Sequence, residues 1–254
     1  MTTSRPEAEP FEIELAALSD AGSKRGRNED HCGKYVKSKT SALVAVADGD
    51  ATFEGAELAS QRAILGLMRS FREPAPGLTQ TQRLVRAARG ANFEVYDTAV
   101  VVPQLRGMST TLSAVAVSEG EMTAAHVGNS RVYLLRNGFI NQLSKDHTVA
   151  AESAAETGNY VVRGSDVLTR SLGRQLLVPI DLFEIALDQG DVVVVCTDGL
   201  CRVFEDHEIA EVVGDLDAAA ACRRLIDQAN AIGTLDNVTA AVVRVIGKTP
   251  GRRR

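Results

Sequence analysis

Apolar residues in this sequence form short continuous runs in some segments and repeat every three or four positions in others. The clearest run covers residues 42–47 and ends at Asp48-Gly49. A second run covers residues 192–196 and ends in the same way at Thr197-Asp198-Gly199. Such runs predict buried strands, each with a carboxylate where the sheet meets solvent and a glycine that opens a turn.

The remaining pattern divides into helices and further strands. Helical periodicity predicts helices over residues 55–74, 79–99, 206–213 and 217–231. Further strands are predicted over residues 11–18, 109–117, 122–127, 131–136, 139–143 and 238–246. Glu119-Gly120 and Asn137-Gly138 are typical of tight turns between antiparallel strands. Residues 147–167 show little periodicity, which predicts an irregular surface insertion.

Clusters of strands that alternate with helix pairs, without a regular βαβ rhythm, indicate the α+β class with helices outside antiparallel sheets. No internal repeat or linker indicates a second domain, so we expect one domain over residues 11–247. We expect a disordered tail at residues 1–10 and a basic tail at residues 248–254.

Composition excludes several classes of function. The chain has 254 residues, 44% of them hydrophobic, and no run near the roughly 20 apolar residues that a membrane span needs. Together with the lack of a signal-peptide core, this predicts a cytoplasmic protein without a membrane partner. The net charge of −5 disfavours nucleic acid as a partner. The four cysteines lack zinc-site spacing, and no P-loop or dinucleotide fingerprint is present.

Four acids share the same position relative to predicted strands. Asp48 and Asp198 follow apolar runs, while Asp30 and Asp236 shortly precede strand-like segments. Gathered carboxylates repel one another unless cations lie between them, and their hard oxygens suit Mg²⁺ or Mn²⁺. The alternative is that each Asp-Gly is a common turn dipeptide. Two matching Asp-Gly strand ends and two further acids favour a shared metal site.

Nine short segments follow one another along the chain. They are Arg25-Gly26-Arg27-Asn28-Glu29-Asp30, Val46-Ala47-Asp48-Gly49, Gly55-Ala56-Glu57-Leu58-Ala59-Ser60, Gly107-Met108-Ser109-Thr110-Thr111, Val127-Gly128-Asn129-Ser130-Arg131, Lys145-Asp146-His147, Leu168-Thr169-Arg170-Ser171-Leu172-Gly173, Cys196-Thr197-Asp198-Gly199-Leu200 and Asp236-Asn237-Val238-Thr239. In this order and with this approximate spacing they resemble the type 2C (PPM) metal-dependent serine/threonine protein phosphatases of bacterial type. The resemblance covers roughly residues 12–246.

This resemblance implies a four-layer α-β-β-α sandwich with two Mn²⁺ or Mg²⁺ ions at one end. Asp48 would bridge the two ions, with the Gly49 carbonyl on one of them and Asp198 and Asp236 on the other. Asp30, with Glu29, would complete the site largely through water. A water between the cations would become a hydroxide-like nucleophile for phosphorus.

The resemblance also implies that an arginine binds the substrate phosphate. Arg25 is the candidate because its guanidinium can donate two hydrogen bonds to phosphate oxygens. Arg27 is the second choice, and a solvated loop charge is the alternative for either. The segments at Ser109-Thr110-Thr111 and Asn237-Thr239 are expected to orient carboxylates and backbone, and His147 to mark a turn. None of the four histidines has the spacing of a serine triad.

Two departures from the family pattern stand beside the acids. Asp50-Ala51-Thr52 follows Asp48-Gly49, where bacterial members usually carry methionine and two glycines; Asp50 is either a carboxylate in or next to the metal shell or a solvated turn residue. Asn129 and Arg202 occupy positions at which many relatives use aspartates for a third metal. We therefore expect the third metal to be absent or weak, with the Arg202 guanidinium taking part of its electrostatic role.

The sequence thus predicts a metal-dependent phosphatase that removes phosphate from serine or threonine of proteins, opposes a bacterial serine/threonine kinase and acts as a monomer. One alternative is a non-catalytic phosphoprotein-binding pseudophosphatase, which Asp50-Ala51-Thr52, Asn129 and Arg202 motivate. Another is a regulatory phosphatase of a sigma-factor pathway.

Overall fold

A computed structural model describes residues 11–157 and 166–248 of the chain. The expected tail at 1–10, residues 249–254 of the tail expected at 248–254, and residues 158–165 of the expected insertion lie outside the described residues; Lys248 is the last residue of the final strand. Within the described ranges, no helix combines the length and apolar content that crossing a membrane requires.

Ten strands form two antiparallel sheets of five strands each. In spatial order, the first sheet contains β1 (Phe11–Asp20), β10 (Val238–Lys248), β9 (Val192–Cys196), β6 (Arg131–Arg136) and β7 (Phe139–Gln142). The second contains β2 (Asp30–Ser38), β3 (Ser41–Asp48), β4 (Leu112–Ser118), β5 (Glu121–Val127) and β8 (Asp181–Ala186). Both sheets match the predicted antiparallel system.

Six α-helices occur in the described residues. They are α1 (Ala56–Arg72), α2 (Gln80–Val101), α3 (Val149–Thr157), α4 (Asp198–Cys201), α5 (Asp206–Val213) and α6 (Ala218–Ile232). A short 3₁₀ turn, Pro103–Leu105, follows α2. Thr79 caps α2 by accepting from the Gln82 backbone N–H, and Asp217 caps α6 in the same way through Ala220.

The layers explain why the central strands are apolar at nearly every position. In β3, Leu43 and Ala45 pack against α1 and α2, whereas Val44 and Val46 face the other sheet. In β9, Val194 packs toward the α5–α6 side, and Val193 and Val195 face inward. Successive side chains of a strand point to opposite faces, so burial on both faces needs apolar residues throughout. The four-layer α-β-β-α arrangement is confirmed.

Two predicted turns have the backbone geometry that their sequences favour. Glu119 and Gly120 have φ of 52° and 81°, and Asn137 and Gly138 have φ of 53° and 81°. Positive φ at both central residues is the geometry of the tight hairpin turn that matches strand twist. These turns join β4 to β5 and β6 to β7, which pair antiparallel.

Four elements differ from the prediction. The segment expected to be irregular at 147–167 contains helix α3, because Ala150, Ala151, Ala154 and Ala155 favour helix without an apolar stripe. Strand β8 was not predicted, and β2 was predicted only as a strand-like segment after Asp30, without bounds; both are edge strands, and positions of β8 alternate between exposed and half-buried. The second Asp-Gly opens the single helical turn α4, where the prediction had only a turn.

Candidate active site

Four acids from distant segments converge at one end of the sandwich. Asp30 begins β2 and Asp48 ends β3, and the two residues are directly paired in the sheet. Asp198 begins α4 after β9, and Asp236 precedes β10. The charges of Asp198, Asp30 and Asp236 all act on Asp48. The structure therefore brings together the four carboxylates that the sequence singled out.

Burial and mutual repulsion favour the protonated form of three of these acids. Burial, followed by the charges of Asp198 and Asp236, raises the pKa of Asp30 to about 7, against the lowering effect of hydrogen bonds from Thr197 and Thr239. The pKa of Asp48 rises well above its usual value for the same reasons, burial first and then Asp198, Asp30 and Asp236. Burial also raises the pKa of Asp198. A charged cluster at neutral pH therefore needs cations to offset it.

The carboxyl groups of Asp48 and Asp198 are close enough for each to shift the pKa of the other. Hard oxygen donors gathered in this way are the donors that Mg²⁺ and Mn²⁺ prefer. The donor set thus fits a divalent cation, whose charge would offset the repulsion between the carboxylates.

Two arginines are paired with the acids in this arrangement. Arg25 Nη2 lies 2.9 Å from Asp236 Oδ1, and Arg202 Nη2 lies 2.8 Å from Asp198 Oδ2. Among the described residues, no three acidic, histidine or cysteine side chains already converge as a ligand set for one ion. Cation binding therefore requires Asp198 and Asp236 to exchange part of their arginine pairing for the ion.

The backbone around Asp48 is fixed from the neighbouring strand. Thr110 Oγ1 donates to the Asp48 carbonyl at 2.8 Å, and Thr111 Oγ1 accepts from the Asp48 N–H at 3.0 Å. Asn237 Oδ1 accepts from the Glu29 N–H at 2.8 Å and so fixes the approach to Asp30. The supporting role predicted for Ser109-Thr110-Thr111 and Asn237-Thr239 is confirmed.

Gly49 fits a space in which no side chain could stand. A Cβ at this position would lie 2.2 Å from the Ala56 carbonyl oxygen at the start of α1. The strand end and the helix start therefore approach as closely as backbone allows, which requires glycine after Asp48. The Gly49 N–H donates to the Glu29 carbonyl at 3.1 Å, so the same residue also fastens the segment before Asp30.

Arg25 lies at the rim of the cluster. Besides Asp236, it contacts the Leu235 carbonyl through Nε at 3.1 Å and has Glu29 at 4.0 Å. Its side chain is 39% exposed, so the guanidinium can reach an incoming anion. Arg27 is exposed, and only its carbonyl has a hydrogen bond in the described structure, from Asn237.

Asp50 is held by three neighbours and is not a solvated turn residue. Its Oδ2 accepts from Arg174 Nη2 at 2.6 Å and from Ser109 Oγ at 3.0 Å, while Oδ1 accepts from the Thr52 N–H at 3.0 Å. Burial alone would raise the pKa of Asp50, but these hydrogen bonds and the Arg174 charge lower it. Asp50 is therefore an ionised anchor for the loop after Gly49.

Asn129 and Arg202, the two departures from the family pattern, meet on one atom. Asn129 Nδ2 donates to Asp198 Oδ2 at 2.9 Å, and the same oxygen pairs with Arg202. Arg202 Nη2 also lies 3.2 Å from Asp166 Oδ2. Positive charge and a hydrogen-bond donor thus stand where the resemblance places acids for a third ion.

A serine–histidine contact exists that sequence spacing did not indicate. Ser113 Oγ lies 2.9 Å from His126 Nδ1, and both residues are fully buried. His126 Nε2 donates to the Lys145 carbonyl at 2.9 Å, where a triad would have a carboxylate. This pair therefore supports β4 and β5 and is not a nucleophile. His147 is likewise structural: Nδ1 accepts from the Gly128 N–H, and Nε2 contacts Asp181.

Comparison with known proteins places the sequence and the fold among protein phosphatases. The sequence profile described as Protein phosphatase 2C matches residues 22–231. A serine/threonine phosphatase, stp, of Listeria monocytogenes is 29% identical over 236 residues, which are 89% of this chain and 93% of the relative. The Mycobacterium tuberculosis serine/threonine phosphatase PstP/Ppp superposes with a TM-score of 0.82 and 30% identity, covering 93% of this chain and 100% of that chain.

A structure of the catalytic domain of PstP in complex with two manganese ions is also similar, with 31% identity and a TM-score of 0.80 over 93% of this chain and 99% of that chain. Fold, site and sequence together define a phosphoprotein phosphatase of the serine/threonine class. The chain belongs to the protein phosphatase 2C family, in its bacterial type.

Proposed function

We propose that the chain hydrolyses phosphoserine and phosphothreonine on proteins with two divalent cations held by Asp30, Asp48, Asp198, Asp236 and the Gly49 carbonyl. The observation that carries this proposal is the convergence of four acids: Asp30 is paired directly with Asp48 in the sheet, and the charges of Asp198 and Asp236 act on both of them. The manganese complex of the similar PstP domain supports a divalent cation here.

The roles of the residues follow from their positions. Asp48, at the centre of the cluster and fastened by Thr110 and Thr111, would be a ligand of both cations. Asp198 and Asp236 approach from the other sheet, and Asp30 closes the cluster beside Asp48. Bound divalent cations would supply Lewis acidity to activate water and to offset charge on the phosphate.

Arg25 is proposed to bind the substrate phosphate. Its guanidinium lies at the edge of the acids and carries several donors in a fixed plane, which suits two phosphate oxygens at once. In the described structure this group pairs with Asp236. If Asp236 held a cation, the Arg25 donors that now pair with it would be available for the phosphate.

We further propose that a third cation is absent or weak in this chain. Arg202 and Asn129 both use Asp198 Oδ2, and a guanidinium at that point repels an additional cation. Equilibrium dialysis with Mn²⁺ should give two tightly bound ions per chain. The double variant Asn129→Asp with Arg202→Asp should gain a third, whereas a third tight ion in the unaltered chain would contradict the proposal.

Hydrolysis of p-nitrophenyl phosphate and of a phosphothreonine peptide tests the function. With saturating Mn²⁺ the chain should release phosphate from both, and Asp198→Ala should lower kcat by at least about a hundredfold. Asp227→Ala removes an exposed acid on α6; it is the matched control and should leave kcat unchanged.

Arg25→Ala should raise KM for the peptide while Mn²⁺ affinity is retained. A chain that binds Mn²⁺ and phosphopeptide but releases no phosphate would be the pseudophosphatase.

The comparisons do not favour that binding-only alternative, because the named relatives are phosphatases. The regulatory role in a sigma-factor pathway, the opposing kinase, the monomeric state and the cytoplasmic location stay predictions from the sequence.

A further inference from the structure

A groove of about 790 Å³ lies beside the loop that follows Asp48 and Gly49. Its walls come from that loop, the C-terminal end of α2, the 3₁₀ turn after it and residues 173–174. None of the described residues that line it is acidic. The side chains that characterise it are apolar, aromatic or cationic: Phe53, Tyr96, Val100, Pro103, Arg106 and Arg174.

The groove is connected to the metal-site loop by direct contacts. Arg174 pairs with Asp50 at 2.6 Å, and its guanidinium carbon lies 5.6 Å from the centre of the Phe53 ring. Phe53 is five residues beyond Asp48 in the chain, a span of about 17 Å at most. An extended peptide with a phosphorylated residue at the acids therefore reaches the groove within about five residues.

The charge of the groove is opposite to that of the chain. The net charge of the chain is −5. Asp50 offsets Arg174, but Arg106 forms no ion pair within residues 11–157 and 166–248. Phe53 is 39% exposed and Val100 is 63% exposed, so apolar surface stands open next to that unpaired guanidinium. An apolar side chain followed by a carboxylate complements this combination.

We propose that this groove binds the segment of the phosphoprotein substrate that flanks the phosphorylated residue, and that it selects an apolar residue adjacent to an acidic one. The apolar residue packs on Phe53 and Val100, and the carboxylate pairs with Arg106. This inference rests on the proposed phosphatase function, and it names the class of sequence that the site prefers.

Three fluorescent peptides test the preference by binding. Each contains threonine and, four residues away, Leu-Asp, Leu-Asn or Leu-Lys. Because the dephosphorylated peptides are not turned over, their affinity for the Mn²⁺-loaded chain is read by fluorescence anisotropy. We expect the unaltered chain to bind Leu-Asp several-fold more tightly than Leu-Asn, and Leu-Lys most weakly.

Arg106→Glu should lower the affinity for the Leu-Asp peptide about tenfold and should make Leu-Lys the preferred peptide. Val100→Glu, on a different wall of the groove, should also lower the affinity for the Leu-Asp peptide. Arg223→Glu on α6 makes the same change of charge far from the groove and is the matched control, with a change below twofold. An equal effect of Arg106→Glu and Arg223→Glu, or no preference among the three peptides, would overturn the proposal.

Turnover separates this proposal from the function on which it rests. Phosphate release from the phosphothreonine forms of the same peptides should follow the same order in kcat/KM. Release that is independent of the flanking residue and of Arg106 would contradict the groove and leave the phosphatase function intact. Binding that depends on Arg106 without any phosphate release would support the groove and contradict the function.

Discussion

His126 is a fully buried histidine whose two ring nitrogens both have partners. The Lys145 carbonyl can only accept, so Nε2 carries the proton and Nδ1 accepts from Ser113. Burial, and then the proximity of His147, lowers the pKa of His126 to about 4. The ring is therefore neutral in the folded chain at every pH at which the chain would be assayed.

This shift gives a pH dependence of stability with a definite sign. The unfolded chain protonates His126 below about pH 6.5, whereas the folded chain does so only near 4. The neutral ring therefore does not reduce the free energy of unfolding above about pH 6.5, and this free energy declines as the pH falls toward 4. Between pH 6.5 and 5 the loss should be about 2 kcal/mol in the free energy of unfolding.

Urea unfolding at pH 7.5 and pH 5 measures this loss. His126→Gln keeps a polar side chain without the titration, so its free energy of unfolding should fall less, by about 2 kcal/mol, between the two pH values. His207→Gln, at an exposed position, should keep the pH dependence of the unaltered chain. Parallel behaviour of all three proteins would show that His126 does not titrate as described.

Contact between β3 and α1 depends on one glycine. A Cβ on Gly49 would lie 2.2 Å from the carbonyl oxygen and 2.9 Å from the Cα of Ala56. Because these are backbone atoms, no rotamer change relieves the overlap. Gly49→Ala should therefore cost about 3 kcal/mol in unfolding free energy and weaken Mn²⁺ binding, since α1 must move away from the metal loop.

Gly26→Ala is the matched control, because a Cβ there meets nothing within 4 Å and the backbone does not require positive φ. Its unfolding free energy should stay within about 0.5 kcal/mol of the unaltered chain. Calorimetric titration with Mn²⁺ and urea unfolding would be run on both variants. Equal unfolding free energies and Mn²⁺ affinities in the two variants would show that the close approach at Gly49 is not required for stability or metal binding.

The elements that were predicted correctly are those with a strong pattern of their own. β3 and β9 are continuous apolar runs, and α1 and α6 carry apolar stripes that become core. β8 has a weaker signal, because Leu182 is 43% exposed and the strand pairs only with β5 in its sheet. α3 lacks an apolar stripe, and α4 is a single turn. Periodicity therefore identifies elements that have a buried apolar face of their own. It misses elements whose stability comes from contacts with neighbouring segments.

At the scale of the whole molecule, the order of the motifs was enough to predict which acids converge. The partners of the site residues were harder to predict. The Arg174–Asp50 pair spans 124 residues of sequence, and Arg25 pairs with Asp236, 211 positions further along the chain, as well as with Glu29, four positions away. Such pairs depend on how loops meet after the sheets have packed, and no local pattern encodes that meeting. Asn129 and Arg202 were singled out only because they depart from a family pattern.

The path of the chain between the two sheets predicts how the molecule unfolds. The first sheet contains β1, β6, β7, β9 and β10, so its strands come from both ends and the middle of the sequence. Inward-facing side chains of both sheets form one shared apolar layer. Neither sheet with its helices is a contiguous stretch of chain, so we expect the two helix layers to be lost in a single transition.

Leu67 in α1 and Leu225 in α6 are fully buried on opposite outer faces of the sandwich. Leu67→Ala and Leu225→Ala should each lower the unfolding free energy by about 2–5 kcal/mol and should shift one common transition. Leu65→Ala, 59% exposed on α1, should change it by less than about 0.5 kcal/mol. The chain has no tryptophan, so urea unfolding is followed by tyrosine fluorescence and far-UV circular dichroism. Two separated transitions in either core variant would mean that each sheet and its helices unfold independently, because the shared layer would then be too weak to couple them.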